Sequence, residues 1–223
     1  MYSYNHPRPS ITVDVVLFTI AGEQLLVLLI KRANQPFQGL WALPGGFIKI
    51  EEDLGSAAKR ELEEETGIRV SYLEQLHTYG HPLRDPRGRV ISVVYFAIMP
   101  HVKPHGNSDA TDAKWFPISR LPELAFDHTE IIADTLVRLR NKLESSAVVF
   151  RLLPETFDIS QITGLYQIIL GRPVDSDLLK KHLMEAGWVE MVTEIQRTND
   201  NFGPRYRFTD SAIQAIESKC QHF

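Results

Sequence analysis

Cysteine is nearly absent: Cys220 is the only one in 223 residues. A lone thiol excludes an intrachain disulfide framework and a cysteine-based zinc site. No stretch approaches the roughly 18 consecutive apolar residues that a membrane-spanning helix needs, so no membrane partner is expected. The opening MYSYNHPRPS lacks a basic start followed by an apolar run. It does not read as a signal peptide, and the expectation is a soluble cytoplasmic protein. A strong excess of one charge is missing too. Lys+Arg number 24 against 28 Asp+Glu, a net of −4, which gives no global argument for nucleic acid or a membrane surface. There is no internal repeat and no low-complexity tract. The remainder is ordinary, 43% hydrophobic and 23% charged, enough to bury a core. The length suits two small domains better than one.

Residues 11–19, ITVDVVLFT, are β-branched and apolar, and AGEQ leads into a return strand over 25–31. A Gly-, Pro- and aromatic-rich loop follows. A helix is expected from Leu54 to Thr66, with Gly67 as its C-cap. Strands are expected over 70–80 and 90–99, with RDPRGR between them as a type I turn. Residues 101–112 read as a polar loop, and AKWFPI as a short strand. A second helix opens at FDHTE, where Asp127 and Glu130 have capping-box spacing. Ile132, Leu136, Leu139 and Leu143 then mark one helical face. This order of strands and helices indicates an α+β or α/β sandwich ending near residue 145. Beyond it, 158–170 reads as a helix capped by Asp158, GRPVDS as a turn, and 177–186 as a helix stopped by Gly187. WVEMVTEI and RYRFT pair as a hairpin around QRTNDNFGP. Helix, turn, helix, hairpin is the order of a winged helix-turn-helix. The expected boundaries are 1–147 and 148–223.

RELEEETG, residues 60–67, crowds four carboxylates into five consecutive positions. Glu61, Glu64 and Glu65 share an arc of about 100° on a helix, while Glu63 points nearly opposite Glu61. Either this is a solvated acidic face, or a cation sits against it. Three hard oxygen donors suit Mg²⁺ or Mn²⁺. The wider spacing decides between the two. Gly46 is followed by five residues and Glu52; seven more lead to Arg60-Glu61-Leu62, then Glu63-Glu64-Glu65-Thr66-Gly67-Ile68. Seven fixed and two aliphatic positions match by chance on the order of once in a billion start sites. The segment therefore resembles the Nudix signature without departure.

The resemblance implies an α/β/α sandwich over residues 11 to about 145 and hydrolysis of a nucleoside diphosphate linked to another group. It implies that Glu61, Glu64 and Glu65 ligate Mg²⁺ or Mn²⁺, and that the Gly45-Gly46 loop adds a backbone carbonyl, here assigned to Gly46. Arg60 and Glu52 are implied as braces of the loop. Divalent ions neutralise the diphosphate and lower the pKa of an attacking water. Asp109 and Asp112 are candidates for a further acid, or else plain loop residues; the base is one of these or a box glutamate.

HPLRDPRGRVISVVY, LPELAFDH and LYQIILGRPVD together resemble the Nudix-related transcriptional regulators of NAD metabolism and their ADP-ribose hydrolase relatives. Pro82 lies close to where ADP-ribose pyrophosphatases carry a marker proline. The implied ligand is ADP-ribose or a related nucleotide. Arg84, Arg87 and Arg89 either meet its diphosphate or ribose, since Arg forks suit such oxygens, or form a solvated hairpin tip. Phe37 and Trp41 either stack a base or pack the core. Arg32 reaches the substrate or the surface. For operator DNA the candidate contacts are Lys180 and Lys181 on the second helix, with Arg197, Arg205 and Arg207 on the wing. Residues 148–223 hold eight Lys+Arg against ten Asp+Glu, which is not the usual basic balance. A dimerisation or regulatory module is thus the competing reading. A homodimer is implied by resemblance, and a two-fold protein matches a palindromic operator. Two roles stay open and compatible: ADP-ribose hydrolysis, or sensing of ADP-ribose, another nucleotide or a sugar by a regulator.

Overall fold

The structure, a computed structural model, describes residues 6–105, 110–145, 148–192 and 204–217. Nine strands and five helices are assigned among them: β1 (Ser10–Ala21), β2 (Gln24–Arg32), β3 (Trp41–Ala42), β4 (Gly45–Phe47), α1 (Leu54–Thr66), β5 (Glu74–Tyr79), β6 (Val90–Ile98), β7 (Ala110–Pro117), α2 (His128–Ser145), α3 (Ile159–Leu170), α4 (Ser176–Glu185), β8 (Val189–Met191), β9 (Tyr206–Phe208) and α5 (Asp210–Glu217). No helix is long and apolar enough to cross a membrane.

Seven strands form one mixed sheet, ordered β3-β2-β1-β6-β5, with β4 also paired to β1 and β7 to β2. β1 is buried at every position from Thr12 to Thr19. Consecutive burial, rather than alternation, means that both faces of this strand are covered. Val13, Val15, Val16, Leu17 and Phe18 are fully inaccessible. Helix α1 starts where Asp53 accepts a hydrogen bond from Ser56 N at 3.0 Å. It stops at Gly67, whose φ of 70° lets its N–H reach Glu63 O at 2.8 Å. Ala57, Ala58 and Leu62 line its buried face.

The chain divides into two compact units. The first holds residues up to Phe18, Leu26–Ala97 and His101–Leu136. The second holds Thr19–Leu25, Ile98–Pro100 and the chain from Val137 onward. In the second, Arg140 Nε donates to Ile169 O at 3.0 Å and the Tyr166 hydroxyl donates to Leu143 O at 3.0 Å. Helices α3 and α4 and the β8–β9 hairpin enclose Phe157, Ile162, Ile169, Leu183 and Tyr206. The Phe157 and Phe208 rings lie 4.5 Å apart. This is the winged-helix order expected from sequence.

Several boundaries moved. β7 begins at Ala110, so Asp112 lies on a strand opposite Lys31 instead of in a loop. The strand expected over 70–80 is confined to Glu74–Tyr79. Two short strands, β3 and β4, arise inside the Gly-rich loop, and α5 was not foreseen. On α2, Ile132, Leu139 and Leu143 are buried as expected, and Leu136 is half-buried. Asp158 caps α3 with a full capping box, receiving Gln161 N while Gln161 Oε1 receives Asp158 N. Replacing it by alanine removes this cap; Asp158→Ala is expected to lower stability by about 1 kcal/mol, read as a lower urea midpoint.

Candidate functional site

β4 runs antiparallel to β1, so Gly45 stands opposite Asp14 and Gly46 opposite Val13. A Cβ on Gly45 would fall 2.2 Å from Val13 O, and one on Gly46 would fall 2.6 Å from the Glu61 carboxyl carbon. Close approach of backbone requires glycine at position 45, whereas a side chain at position 46 would displace the Glu61 carboxylate. Arg60 organises the acids. Its Nε and Nη2 each donate to Glu52 at 2.7 Å, a bidentate fork. Its Nη1 donates to Glu61 Oε1 at 2.6 Å and Glu64 Oε2 at 3.2 Å. A further contact from Nη2 to Phe47 O, at 3.4 Å, ties the loop to the helix. The Arg60 fork holds the Glu52 carboxyl down to about 2.

Glu65 is buried and accepts from Gly45 N at 2.8 Å. Burial pushes its carboxyl up to about 8, outweighing that hydrogen bond, with Glu61 and Asp14 adding repulsion. Burial also raises Glu61, against the pull of Arg60. Glu63 points away to Arg69, at 2.7 Å. Arg60 Nη1 thus bridges Glu61 and Glu64 while Gly45 N holds Glu65, and among the described residues no group of three or more His, Cys, Asp or Glu side chains is already arranged to hold a metal ion. Their chemistry fits a hard dication. Two carboxylates, Glu61 and Glu65, are disfavoured as anions by burial, and the Gly46 backbone lies against the first of them with no side chain between.

Beneath the loop lies a buried polar network. Asp14 receives the Ser92 hydroxyl and stands 3.8 Å from Arg84 Nη2. His128 is fully enclosed; its Nδ1 accepts from Leu43 N at 2.9 Å, and burial drives its pKa down, consistent with a neutral ring. Arg84 is the main correction among the substrate candidates. It sits neither at a solvated tip nor in an open cleft. Its side chain is 4% exposed, and both arms bind Asp127, at 2.8 and 2.7 Å. Asp127 directly precedes α2 as expected, but both its oxygens serve Arg84.

Arg87 is held by Asp85 through Nε and Nη2 and lies 5.0 Å from the Phe47 ring. Arg89 donates to Gly80 O at 2.5 Å. Arg32 donates to Pro36 O at 2.9 Å and lies 4.8 Å from the Phe126 ring. Phe37 is 36% exposed and meets Phe126 edge-on. Trp41 is half-buried, edge-on to Phe116 at 4.6 Å. Asp112 is taken by Lys114, and Asp109 lies outside the described residues. Sequence reading missed Asp14, Asp85, Phe126 and His128. The only signal for the last two was their place in LPELAFDH.

In the second unit most of the proposed DNA contacts are already engaged. Lys180, expected to be exposed, is half-buried with its Nζ 5.5 Å from the Tyr206 ring centre. Lys181 stands 3.9 Å from Glu185, and Arg207 donates to Glu190 at 2.6 Å. Arg205 donates to Thr156 O at 2.8 Å, bracing β9 against the start of α3. Arg197 lies outside the described residues.

The NUDIX domain family matches residues 8–135. The chain belongs to the Nudix family. A second family, the NrtR DNA-binding winged helix domain, matches residues 149–208. Among Nudix relatives, the ADPR responsive transcriptional repressor NtrR of Acinetobacter baylyi is 34% identical, covering 92% of this chain and 84% of that protein. The ADP-ribose pyrophosphatase of Methanocaldococcus jannaschii is 41% identical over 127 residues, covering 57% of this chain and 73% of that protein. The crystal structure of Shewanella oneidensis NrtR complexed with a 27mer DNA matches with a TM-score of 0.74 at 34% identity, covering 92% of this chain and 95% of that one. The fold is therefore a Nudix domain followed by a C-terminal winged helix domain.

Two outcomes follow from the site. Arg84→Met leaves Asp127 and Asp14 buried without their cation. It is expected to cost about 3–5 kcal/mol, measured by denaturant unfolding. The folded Glu65 carboxyl titrates above its ordinary value of 4.5, near 8. The native state then binds more protons than the unfolded one in that interval. The Glu65 contribution is full below 4.5 and is lost as pH rises through about 8. Unfolding of metal-free protein should show this decline, and the wild type minus Glu65→Gln difference should carry it.

Proposed function

We propose that this chain is a Mg²⁺- or Mn²⁺-dependent Nudix pyrophosphohydrolase that cleaves ADP-ribose to AMP and ribose 5-phosphate, and that its winged helix binds operator DNA. The intact box supports catalysis, above all the approach of Gly46 to the Glu61 carboxylate. Glu61, Glu64 and Glu65, with the Gly46 carbonyl, are the residues that would hold the cation. When bound, it neutralises the diphosphate and acidifies an attacking water. Arg60 and Glu52 keep the loop closed on the helix. Arg32 and Arg87 receive diphosphate oxygens, and Phe37 offers its exposed ring to the base. Trp41 and Arg89 are each already engaged within the fold. One of the box glutamates takes the proton of the water as the bridging P–O bond breaks.

A second role is favoured by similarity to an ADPR responsive repressor that extends through the winged helix. On this reading ADP-ribose, or a related nucleotide or sugar effector, governs operator binding by a homodimer, and turnover removes the signal. Lys180, Lys181, Arg205 and Arg207 then contribute to the DNA face, with Lys181 and Arg207 exchanging carboxylates for phosphates.

Glu64→Gln and Glu65→Gln are expected to abolish AMP release from ADP-ribose with Mg²⁺ or Mn²⁺ while leaving a gel shift on the gene's own upstream DNA responsive to ADP-ribose. Absence of AMP with wild-type protein would sink the hydrolase. Absence of any shift at low salt would sink the regulator.

A further inference from the structure

Two phenylalanines of the first unit hold backbone conformations that bulky side chains rarely adopt: Phe37 has φ 61° and Phe126 has φ 54°. Such strain persists only where surroundings over-determine it, and it gathers at ligand clamps. These two touch, with ring centres 4.9 Å apart and edge to face. Behind Phe126 is packed core: Ile30, Ala42, Ala113 and Ala125. In front, two guanidinium groups share its ring. Arg32 places its central carbon 4.8 Å from the ring centre, and Arg87 places its own at 5.6 Å.

Holding two like charges at one ring is unfavourable without an anion. Burial, and then repulsion from Arg87, draws the Arg32 pKa down, while Glu65, Asp85 and Asp14 pull it up. Arg32 therefore lies within electrostatic reach of Glu65 of the Nudix box. Neutralisation is uneven. Arg87 has the Asp85 carboxylate, whereas Arg32 donates only to the carbonyls of Pro36 and Asn34. Among the described residues, no hydrogen bond engages Nη1 of either arginine. Two Nη1 groups left to donate beside two partly exposed rings, Phe37 and Phe47, suit an anion with two phosphate groups and a flat substituent.

We infer that Phe126 is the positioning residue that sets specificity for a diphosphate over a monophosphate, by holding Arg32 and Arg87 at one ring so that each meets a different phosphate. The inference rests on reading this site as one for nucleoside diphosphates. A monophosphate meets the Nη1 of one arginine and leaves the Nη1 of the other without a phosphate partner. Phe126 itself acts through the arginines.

The test is calorimetric titration of ADP and AMP into full-length, metal-free protein. Wild type should prefer ADP by about tenfold or more, the scale of one charge-assisted contact. Phe126→Tyr keeps the ring and should keep the ratio. Phe126→Asn tolerates the left-handed backbone but has no ring, and should bring the two affinities within about threefold. Arg87→Gln leaves Phe126 in place and should give the same collapse. A merely structural role for Phe126 would weaken both ligands alike and leave the ratio. The inference is overturned if the ratio survives in Phe126→Asn or in Arg87→Gln, if Phe126→Tyr loses it, or if wild type shows no preference. AMP release from ADP-ribose distinguishes the readings. Release without ADP preference removes the clamp and keeps the hydrolase. Preference that collapses as expected, without release, removes the hydrolase and keeps the clamp.

Discussion

Arg60 reaches three carboxylates and a loop carbonyl at once, and the loop-helix-loop closes around it. Its fork on Glu52 pins the far end of the loop, and its third arm stands between Glu61 and Glu64. Like charges three and four apart on a helix repel by a few tenths of a kcal/mol per pair. One guanidinium offsets that repulsion and binds the loop in the same act. In the same loop β4 pairs with β1, and that pairing brings Gly46 against Glu61 and Gly45 N to Glu65. Removal of this one side chain would release both the acids and the strand that faces them.

The second support is buried. Ser92, Asp14, Arg84, Asp127 and His128 come from β1, β6, the 84–89 turn and the start of α2. They form a polar layer in which Ser92, Asp14, Arg84 and Asp127 pair with one another and His128 accepts from Leu43 N. Buried polar groups without partners cost more than their bonds return, so this layer specifies one arrangement. Asp14 lies under Gly45, and His128 holds the backbone at Leu43. The floor of the Nudix loop is therefore set by residues far from it in sequence.

That distance explains what could be read from the sequence and what could not. Helix α1, its Gly67 cap and the Asp158 cap follow from local rules and were legible, as was the box, because its spacing is contiguous. β1, β2 and β6 announce themselves by continuous β-branched and apolar residues. Arg84 was misplaced because its partner lies 43 residues away, and a turn sequence rich in Pro and Gly reads as surface. β3 and β4, two and three residues long, are too short for any periodicity. The positive φ of Phe126 carries no local signal, since at an aromatic residue it is imposed by tertiary contacts.

The ion pairs of the second unit bear on how it would meet DNA. Arg207 already has Glu190, and Lys181 has Glu185. A phosphate approaching either cation must displace a carboxylate, which then gathers its own counterion from solution. Binding would release fewer net ions than a count of basic residues suggests, so its affinity would fall less steeply with salt. A domain with a negative balance can in this way trade raw attraction for tolerance of ionic strength.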